Sequence, residues 1–319
     1  MNPKKIKYEK NELLHVPVLE EEILKYAPPF TEKILDCTLG GGGHSHALLT
    51  RFDQARLLAT DRDPFALESA QMKLGKFLPR LDLQHARFSS LKEILSSKQW
   101  RFDYIIADIG VSSFQLDQSE RGFSFTQDGP LDMRMDPNSN GSTAQDWVNN
   151  ANPAELTEIF RKYGEERFAP KIAHEIVKKR KILKFHSTVQ FANFVASLIP
   201  RKFQKKGFHP ATLVFQALRI AVNDELLELK ALLNTTVDYL KNEGRLALIS
   251  FHSLEDRMIK HKFQEWENPC TCPPNFPLCI CGLTPIGKRV FTRPISPSLE
   301  EIKKNPRSRS AKLRIFQRI

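Results

Sequence analysis

The first third of the chain alternates short apolar runs with helix-like stretches, and this alternation restricts the possible folds more than any other feature. Helical patterns begin at about Ser45, after Pro64 and at about Ser89. Apolar strands that are separated by helices form a parallel sheet covered on both faces, which predicts an α/β fold. Four runs have the composition of buried strands: Lys33–Cys37, Arg56–Asp61, Leu81–Ala86 and Phe102–Asp108.

The alternation stops after the fourth strand and resumes only near residue 245. Residues 144–200 have a purely helical pattern, and one long helix is expected from about Ala211 to Lys241. A buried strand at Arg245–Ser250 restores the sheet, and two further strands are expected in "KRVFTRPI" and "AKLRIFQRI" near the end. We therefore predict two domains: a sheet domain of residues 1–135 and 211–319, and an inserted helical domain of residues 136–210.

Positive charge is concentrated in two segments of a chain whose net charge is +11. Residues 161–206 contain thirteen Lys and Arg against three acids, and residues 284–319 contain ten against two. Such concentration favours a polyanionic partner, RNA or DNA. A basic surface that only keeps the protein in solution is the alternative.

The sequence shows no run of eighteen apolar residues, so no membrane partner is expected. The first residues, "MNPKKIKYEKNELL", are charged and lack the apolar core of a signal peptide. We therefore expect a cytoplasmic protein. A homodimer is possible, and the sequence leaves the oligomeric state open.

Four of the five cysteines form a C-x-C-x6-C-x-C pattern: Cys270, Cys272, Cys279 and Cys281. Four thiolates at this spacing can bind zinc tetrahedrally, although C-x-C is less usual than C-x-x-C. Disulfides are not expected in a reducing compartment. The sequence leaves open a zinc site or a proline-rich loop with ordinary thiols, and it predicts no metal in the active site.

Four consecutive glycines, Gly40–Gly43, follow the first strand and precede a helix. Glycine lets the backbone approach a ligand, and nucleotide-binding folds hold their ligand beyond the carboxyl ends of the strands. Asp61, at the end of the second strand, has the position of an acid that binds ribose hydroxyls. A turn or helix-cap acid is the alternative interpretation of Asp61.

The glycine run does not match the two common phosphate-binding motifs. The pattern G-x-x-x-x-G-K-[ST] is absent, and the dinucleotide fingerprint requires a third glycine where the chain has Ser45. A nucleoside without phosphates, S-adenosylmethionine, therefore fits better than a nucleoside triphosphate. A methyltransferase is favoured over a dehydrogenase.

Eight motifs, in order along nearly the whole chain, resemble those of the RsmH/MraW family. Members are bacterial methyltransferases for the N4 position of a cytidine in small-subunit (16S) ribosomal RNA. The fourth motif is long enough to be very specific. The motifs are "HVPVL" (15–19), "LDCTLGGGGHS" (35–45), "DRDP" (61–64), "DIGVSSFQLDQSERGFSFTQDGPLDMRMD" (108–136), "YGEERFAPKIA" (163–173), "HPATLVFQALRIAVNDEL" (209–226), "ISFHSLEDR" (249–257) and "NPRSRS" (305–310).

The resemblance implies a class I (Rossmann-like) S-adenosylmethionine-dependent methyltransferase sheet with a helical insertion. The implied cofactor is S-adenosylmethionine, and the implied partner is 16S rRNA within the small ribosomal subunit. An aromatic ring beside adenine is physically sensible for one of the implied cofactor contacts, Phe88. These implied contacts are Gly42, Gly43, His44, Asp61, Phe88, Asp108 and Gln115.

Methylation of cytosine N4 requires a group that accepts hydrogen bonds from the amine, because the nitrogen lone pair is shared with the ring. Asp108 is the first candidate for this catalytic role, although cofactor binding can occupy it. Asp132 is an alternative acid, and His252 is a candidate base contact or a helix cap. Cys37 needs no catalytic role, since attack on N4 requires no thiol nucleophile.

Two rival functions stay open at this point. One is methylation of another amine, such as adenine N6 or a protein side chain. The other is an RNA-binding assembly factor that keeps the cofactor pocket without turnover. In each RNA-dependent case the basic inserted helices are expected to contact phosphates, which orient the RNA without reading its sequence.

Overall fold

The computed structural model of the protein describes residues 17–204, 206–273, 278 and 280–319. Its strands coincide closely with the apolar runs of the sequence. They are β1 Lys33–Asp36, β2 Arg56–Asp61, β3 Leu81–His85, β4 Phe102–Asp108, β5 Leu240–Ser250, β6 Gly287–Arg289 and β7 Lys312–Arg318.

The helices fill the intervals between these strands. Three sheet-domain helices follow β1, β2 and β3, and five others form a group between residues 144 and 223. The helices are α1 Glu20–Lys25, α2 Gly43–Arg51, α3 Pro64–Lys73, α4 Leu91–Lys98, α5 Ser113–Asp117, α6 Ala144–Asn150, α7 Pro153–Gly164, α8 Ala169–Lys179, α9 Thr188–Leu198, α10 Thr212–Asn223, α11 Glu225–Thr236, α12 Ser253–Glu267 and α13 Leu299–Lys304.

The seven strands form one sheet in the order β3-β2-β1-β4-β5-β7-β6. The strands from β3 to β5 pair in parallel, whereas β7 pairs antiparallel with both β5 and β6. The strand order reverses direction between β1 and β4, so their carboxyl ends border a crevice. Ligands of open α/β sheets bind at such a switch point. The predicted α/β class is confirmed.

Both faces of the sheet are buried, which explains why its strands are continuously apolar. Ile34 packs into the core on one face, and its neighbour Leu35 packs into the core on the other. In the same way, Leu57 packs into the core that contains Ile34, and Leu58 packs into the core that contains Leu35. Successive side chains of a strand point to opposite faces, so a strand with two covered faces needs apolar residues at nearly every position.

The predicted long helix from Ala211 to Lys241 is wrong. The chain forms two helices, α10 and α11, because Asp224 between them takes a left-handed conformation with φ of +52°. The break brings Arg219 of α10 against Glu225 of α11, where two hydrogen bonds of 2.8 and 2.7 Å join the side chains. The strand expected in "KRVFTRPI" is also shorter, since β6 ends at Arg289.

The helices from α6 to α10 surround a third apolar core, whose buried residues run from Phe123 to Leu218 in the sequence. Side-chain caps begin three of these helices, at Thr143 for α6, Asn152 for α7 and Ser187 for α9. The division of the chain at residues 136 and 210 stays a prediction. Within the described ranges, the longest apolar helices are too short to cross a membrane.

Candidate active site at the carboxyl edge of the sheet

The glycine turn combines backbone strain, tight packing and one open position. Gly40 and Gly42 have φ of +49° and +72°, a region that favours glycine. A Cβ on Gly43 would lie 2.4 Å from Cγ of Pro17. A Cβ on Gly41 would meet no described atom within 4 Å. Three glycines therefore serve the fold, and Gly41 borders open space where a ligand can approach.

Asp61, at the carboxyl end of β2, holds this turn in place. One carboxylate oxygen accepts the N–H of Gly40 at 2.7 Å, and the other accepts the N–H of Asp63 at 2.8 Å. Burial raises the pKa of Asp61 to about 6. A carboxylate has about four acceptor positions, so Asp61 retains capacity for the hydroxyl groups of a ligand.

Asp36, at the carboxyl end of β1, is a buried acid that the sequence prediction does not include. Its carboxylate accepts hydrogen bonds from the hydroxyl of Ser45 at 2.7 Å and the N–H of Thr38 at 3.0 Å. Burial raises the pKa of Asp36 to about 6 despite these two bonds. The sequence could have indicated Asp36 as a site residue, because this acid lies between an apolar strand and the glycine run.

Asp108, at the carboxyl end of β4, lies beside Asp36 across the crevice. Its backbone N–H donates to the hydroxyl of Thr38 at 2.6 Å, which joins the ends of β4 and β1. Burial, reinforced by the charges of Asp36 and Glu255, raises the pKa of Asp108 to about 8. Its Oδ1 atom is buried and has no hydrogen-bond partner among the described residues.

Unsatisfied buried atoms are concentrated at this edge of the sheet. In the described part of the chain, five buried side-chain atoms lack a hydrogen-bond partner, and all belong to residues at the carboxyl ends of β2, β4 and β5 or at most five positions beyond them. Buried polar groups are normally paired, so such a cluster indicates a ligand site. The atoms belong to Arg62, Asp108, Ser250, His252 and Glu255.

Gln115 is buried in a network that joins the loop after β2 to α5. Its Oε1 accepts the N–H of Ser112 at 3.1 Å, and its Nε2 donates to Oδ2 of Asp63 at 2.8 Å. Arg121 donates to the same oxygen of Asp63 at 2.9 Å. The sequence prediction includes Gln115 but neither Asp63 nor Arg121, whose partners are more than fifty residues away.

His44 lies in the first turn of α2, after β1, and Phe88 lies after β3. The Nε2 atom of buried His44 lies 2.9 Å from the carbonyl oxygen of Val18. Phe88 begins a short turn after β3, and its half-buried ring packs against the core that contains Leu91. Direct contact of either residue with a cofactor stays a prediction.

His252 caps the N-terminus of α12. Glu255 accepts the N–H groups of Phe251 and His252 at 2.9 and 3.3 Å, and its other oxygen lies 3.0 Å from Nε2 of His252 without hydrogen-bond geometry. His252, Glu255 and Glu225 have side-chain atoms within 4.8 Å of one another. The charge of Glu255 contributes to the raised pKa of Asp108, and a catalytic role for His252 stays a prediction.

Asp132 lies in an ion pair within its own loop. Arg134 donates three hydrogen bonds to its carboxylate, of 3.0, 2.9 and 2.8 Å, from the backbone N, Nε and Nη2. Asn223 fixes the same loop, because its side chain bonds the backbone of Met133 and Met135. Asp132 is thus occupied by a local partner, in contrast to Asp108.

Comparison with known proteins identifies the family. A model described as "MraW methylase family" matches residues 12–319. The chain belongs to the MraW methylase family. A curated relative from Carboxydothermus hydrogenoformans, named "Ribosomal RNA small subunit methyltransferase H", is 45% identical over 97% of this chain and 99% of its own length. A relative of the same name from Heliobacterium mobile is 45% identical over 97% of this chain and all of its own length.

Membership of the MraW methylase family confirms the predicted resemblance and the class I methyltransferase fold. It also confirms the enzyme class, a methyltransferase, and its methyl donor, S-adenosylmethionine. The edge of the sheet fits this donor in three respects. Gly41 leaves space, Asp61 has free acceptor capacity, and Asp108 has a buried oxygen without a partner.

Proposed function

We propose that this chain transfers a methyl group from S-adenosylmethionine to the exocyclic N4 amine of a cytidine in 16S rRNA of the small ribosomal subunit. The names of its relatives and the family motifs support the substrate. The observation that carries the chemistry is the buried Oδ1 atom of Asp108, which lacks a partner among the described residues at the switch point of the sheet. A cytoplasmic location is part of this proposal.

The glycine turn and the acids around it would hold the cofactor. The cofactor would approach the turn at Gly41, beside the predicted contacts Gly42, Gly43 and His44, and Asp61 would bind the ribose hydroxyls. When bound, S-adenosylmethionine supplies a methyl group on a sulfonium cation. A positive charge near Asp36 and Asp108 favours their ionised forms, which burial otherwise disfavours. Phe88 and Gln115 would complete the contacts on the adenine side and in the loop after β4.

Asp108 would orient the target amine. Its Oδ1 atom accepts an N–H of the cytosine amino group, which localises the nitrogen lone pair and stabilises the charge that develops on nitrogen. The same atom then takes the proton that the amine loses. A pKa of about 8 suits this role, because a general base works best when its pKa lies near the working pH.

Asp132 and His252 are weaker candidates for this proton transfer. Arg134 already neutralises Asp132, and His252 caps a helix beside Glu255. We assign Asp132 to the shape of the loop that faces the substrate. His252 would contact the RNA base or support Asp108 through Glu255.

The helical domain, residues 136–210, and the basic C-terminal segment would bind the RNA backbone. Arg167 stacks over the ring of Phe203 at 4.3 Å from its centroid, and this ring is 38% exposed. Exposed rings beside cations are suited to stacked bases and phosphates. The target cytidine would be splayed out of its stack to reach the methyl group.

The test is a product analysis with small ribosomal subunits from a strain that lacks this enzyme. The purified chain and labelled S-adenosylmethionine are expected to yield N4-methylcytidine in 16S rRNA, identified by mass spectrometry of nucleosides. Asp108→Asn serves as the inactive variant, and Asp53→Asn, which changes an exposed acid, as the matched control. Label in N6-methyladenosine or in protein would overturn the proposal. Binding of the cofactor without any label transfer would support an assembly factor instead.

A further inference from the structure

Three thiols converge in the segment that joins α12 to β6. The sulfur atoms of Cys270, Cys272 and Cys281 all lie within 4.8 Å of one another. Those of Cys270 and Cys281 are 3.8 Å apart. This separation is far longer than the bond of a disulfide, about 2.05 Å. It equals the distance between two ligands of a tetrahedral zinc site, about 3.8 Å when each Zn–S bond is about 2.3 Å.

The sulfur of Cys272 already accepts a backbone hydrogen bond. The backbone N–H of Ile280 points at its sulfur, with 3.4 Å between nitrogen and sulfur. Hydrogen bonds to the ligands of metal sites commonly hold those ligands in orientation.

Apolar packing does not account for the convergence of these thiols. Between residues 268 and 286 the described residues form neither helix nor strand. Leu278, Ile280 and Leu283 are 76%, 73% and 50% exposed, so the large apolar side chains described there point into solvent. At the base of the segment, the N–H of Ile286 donates to the carbonyl oxygen of Trp266 at 2.9 Å.

We infer that Cys270, Cys272 and Cys281 bind a structural zinc ion that holds this segment in its fold. The ion takes the place of an apolar core, which the described residues of this segment do not form, as in small metal-stabilised units. Its role is structural, because α12 separates the thiols from His252 by fifteen residues, or about 20 Å of helix. Cys279 lies outside the described residues, and the inference does not rest on it.

The first test is the metal content of the full chain, purified without a polyhistidine tag and without chelators. Inductively coupled plasma mass spectrometry is expected to find one zinc ion per chain. Cys270→Ser, Cys272→Ser and Cys281→Ser should each lower the zinc content several-fold. Cys37→Ala, which removes the buried cysteine beside the glycine turn, should leave the zinc content unchanged.

The second test replaces zinc with cobalt(II) in the same full chain. Thiolate-bound tetrahedral cobalt(II) absorbs intensely in the visible range, and these bands should be lost in Cys281→Ser while circular dichroism shows an intact fold. Absence of zinc from the purified chain, together with failure to bind added zinc or cobalt(II), would overturn the inference. A disulfide between Cys270 and Cys281 in alkylated, unreduced protein would overturn it as well.

Discussion

Asp108 ends β4 and Asp63 lies two residues after β2, both at the same edge of the sheet, yet the surroundings of the two acids differ. Asp63 is buried, accepts hydrogen bonds from Gln115 and Arg121, and forms a 2.9 Å ion pair with the latter. Asp108 has a buried oxygen without a partner among the described residues, and acids rather than cations surround it. We therefore assign the paired acid, Asp63, to the stability of the fold, and the contrast supports the proposal that Asp108 acts in the reaction.

The largest expected effect is the loss of activity in Asp108→Asn. Removal of a general base commonly lowers the turnover rate about 10²- to 10⁴-fold. The free energy of unfolding should not fall, because the substitution replaces a poorly solvated acid with a neutral group of the same shape. Single-turnover methylation and urea unfolding measure the two quantities. A stable variant with full activity would contradict the role of Asp108.

Asp63→Ala should lower the free energy of unfolding and leave the activity of the folded protein largely intact. It leaves the buried guanidinium of Arg121 without its carboxylate, and such losses cost about 3–5 kcal/mol of unfolding free energy. Urea unfolding checks this value, and methylation by the fraction that remains folded should persist. Asp82→Ala, which removes a more exposed ion pair with Lys98, should cost only about 1 kcal/mol or less. If both variants lost the same unfolding free energy, Asp63 would stabilise the protein no more than a partly exposed acid does.

The pH dependence of the free energy of unfolding gives a further test of the buried carboxyl group of Asp108. Asp108 has a folded-state pKa of about 8, raised mainly by burial from an ordinary value of 3.8. The folded state therefore binds more protons than the unfolded state between these values, so the free energy of unfolding falls as pH rises. The decline should reach at most about 1.4 kcal/mol per pH unit. Asp108→Asn should flatten this decline toward pH 8, as measured by urea unfolding across that range. An identical slope in both proteins would refute the assignment.

The smallest effects concern the glycine turn. Gly43→Ala forces a methyl group against Pro17 and should lower the free energy of unfolding by about 1–3 kcal/mol. Gly41→Ala should change it by about 0.5 kcal/mol or less, because its surroundings are open. The affinity for S-adenosylmethionine, measured by calorimetry, should nevertheless fall in Gly41→Ala. Unchanged affinity would mean that the ligand does not approach the backbone at Gly41.

The strands and the glycine turn were predictable because their signals are local. Buried strands need consecutive apolar residues, and four consecutive glycines indicate the turn. The break of the expected long helix was not predictable in this way. Asp224 adopts its left-handed conformation in a stretch with a continuous helical pattern, and the pairing of Arg219 with Glu225 accompanies it. That pairing depends on how the two helices pack.

By itself, the sequence determined the α/β class, the position of the glycine turn and the family, since each depends on residues close together in the chain or on motifs in order. Only the tertiary structure decided which buried acids are paired. Asp63 meets its partners Gln115 and Arg121 from 52 and 58 residues away, whereas Asp36 and Asp108 face each other at adjacent strand ends. The free energy of a buried charge depends on its neighbours in space, and the fold alone supplies those neighbours.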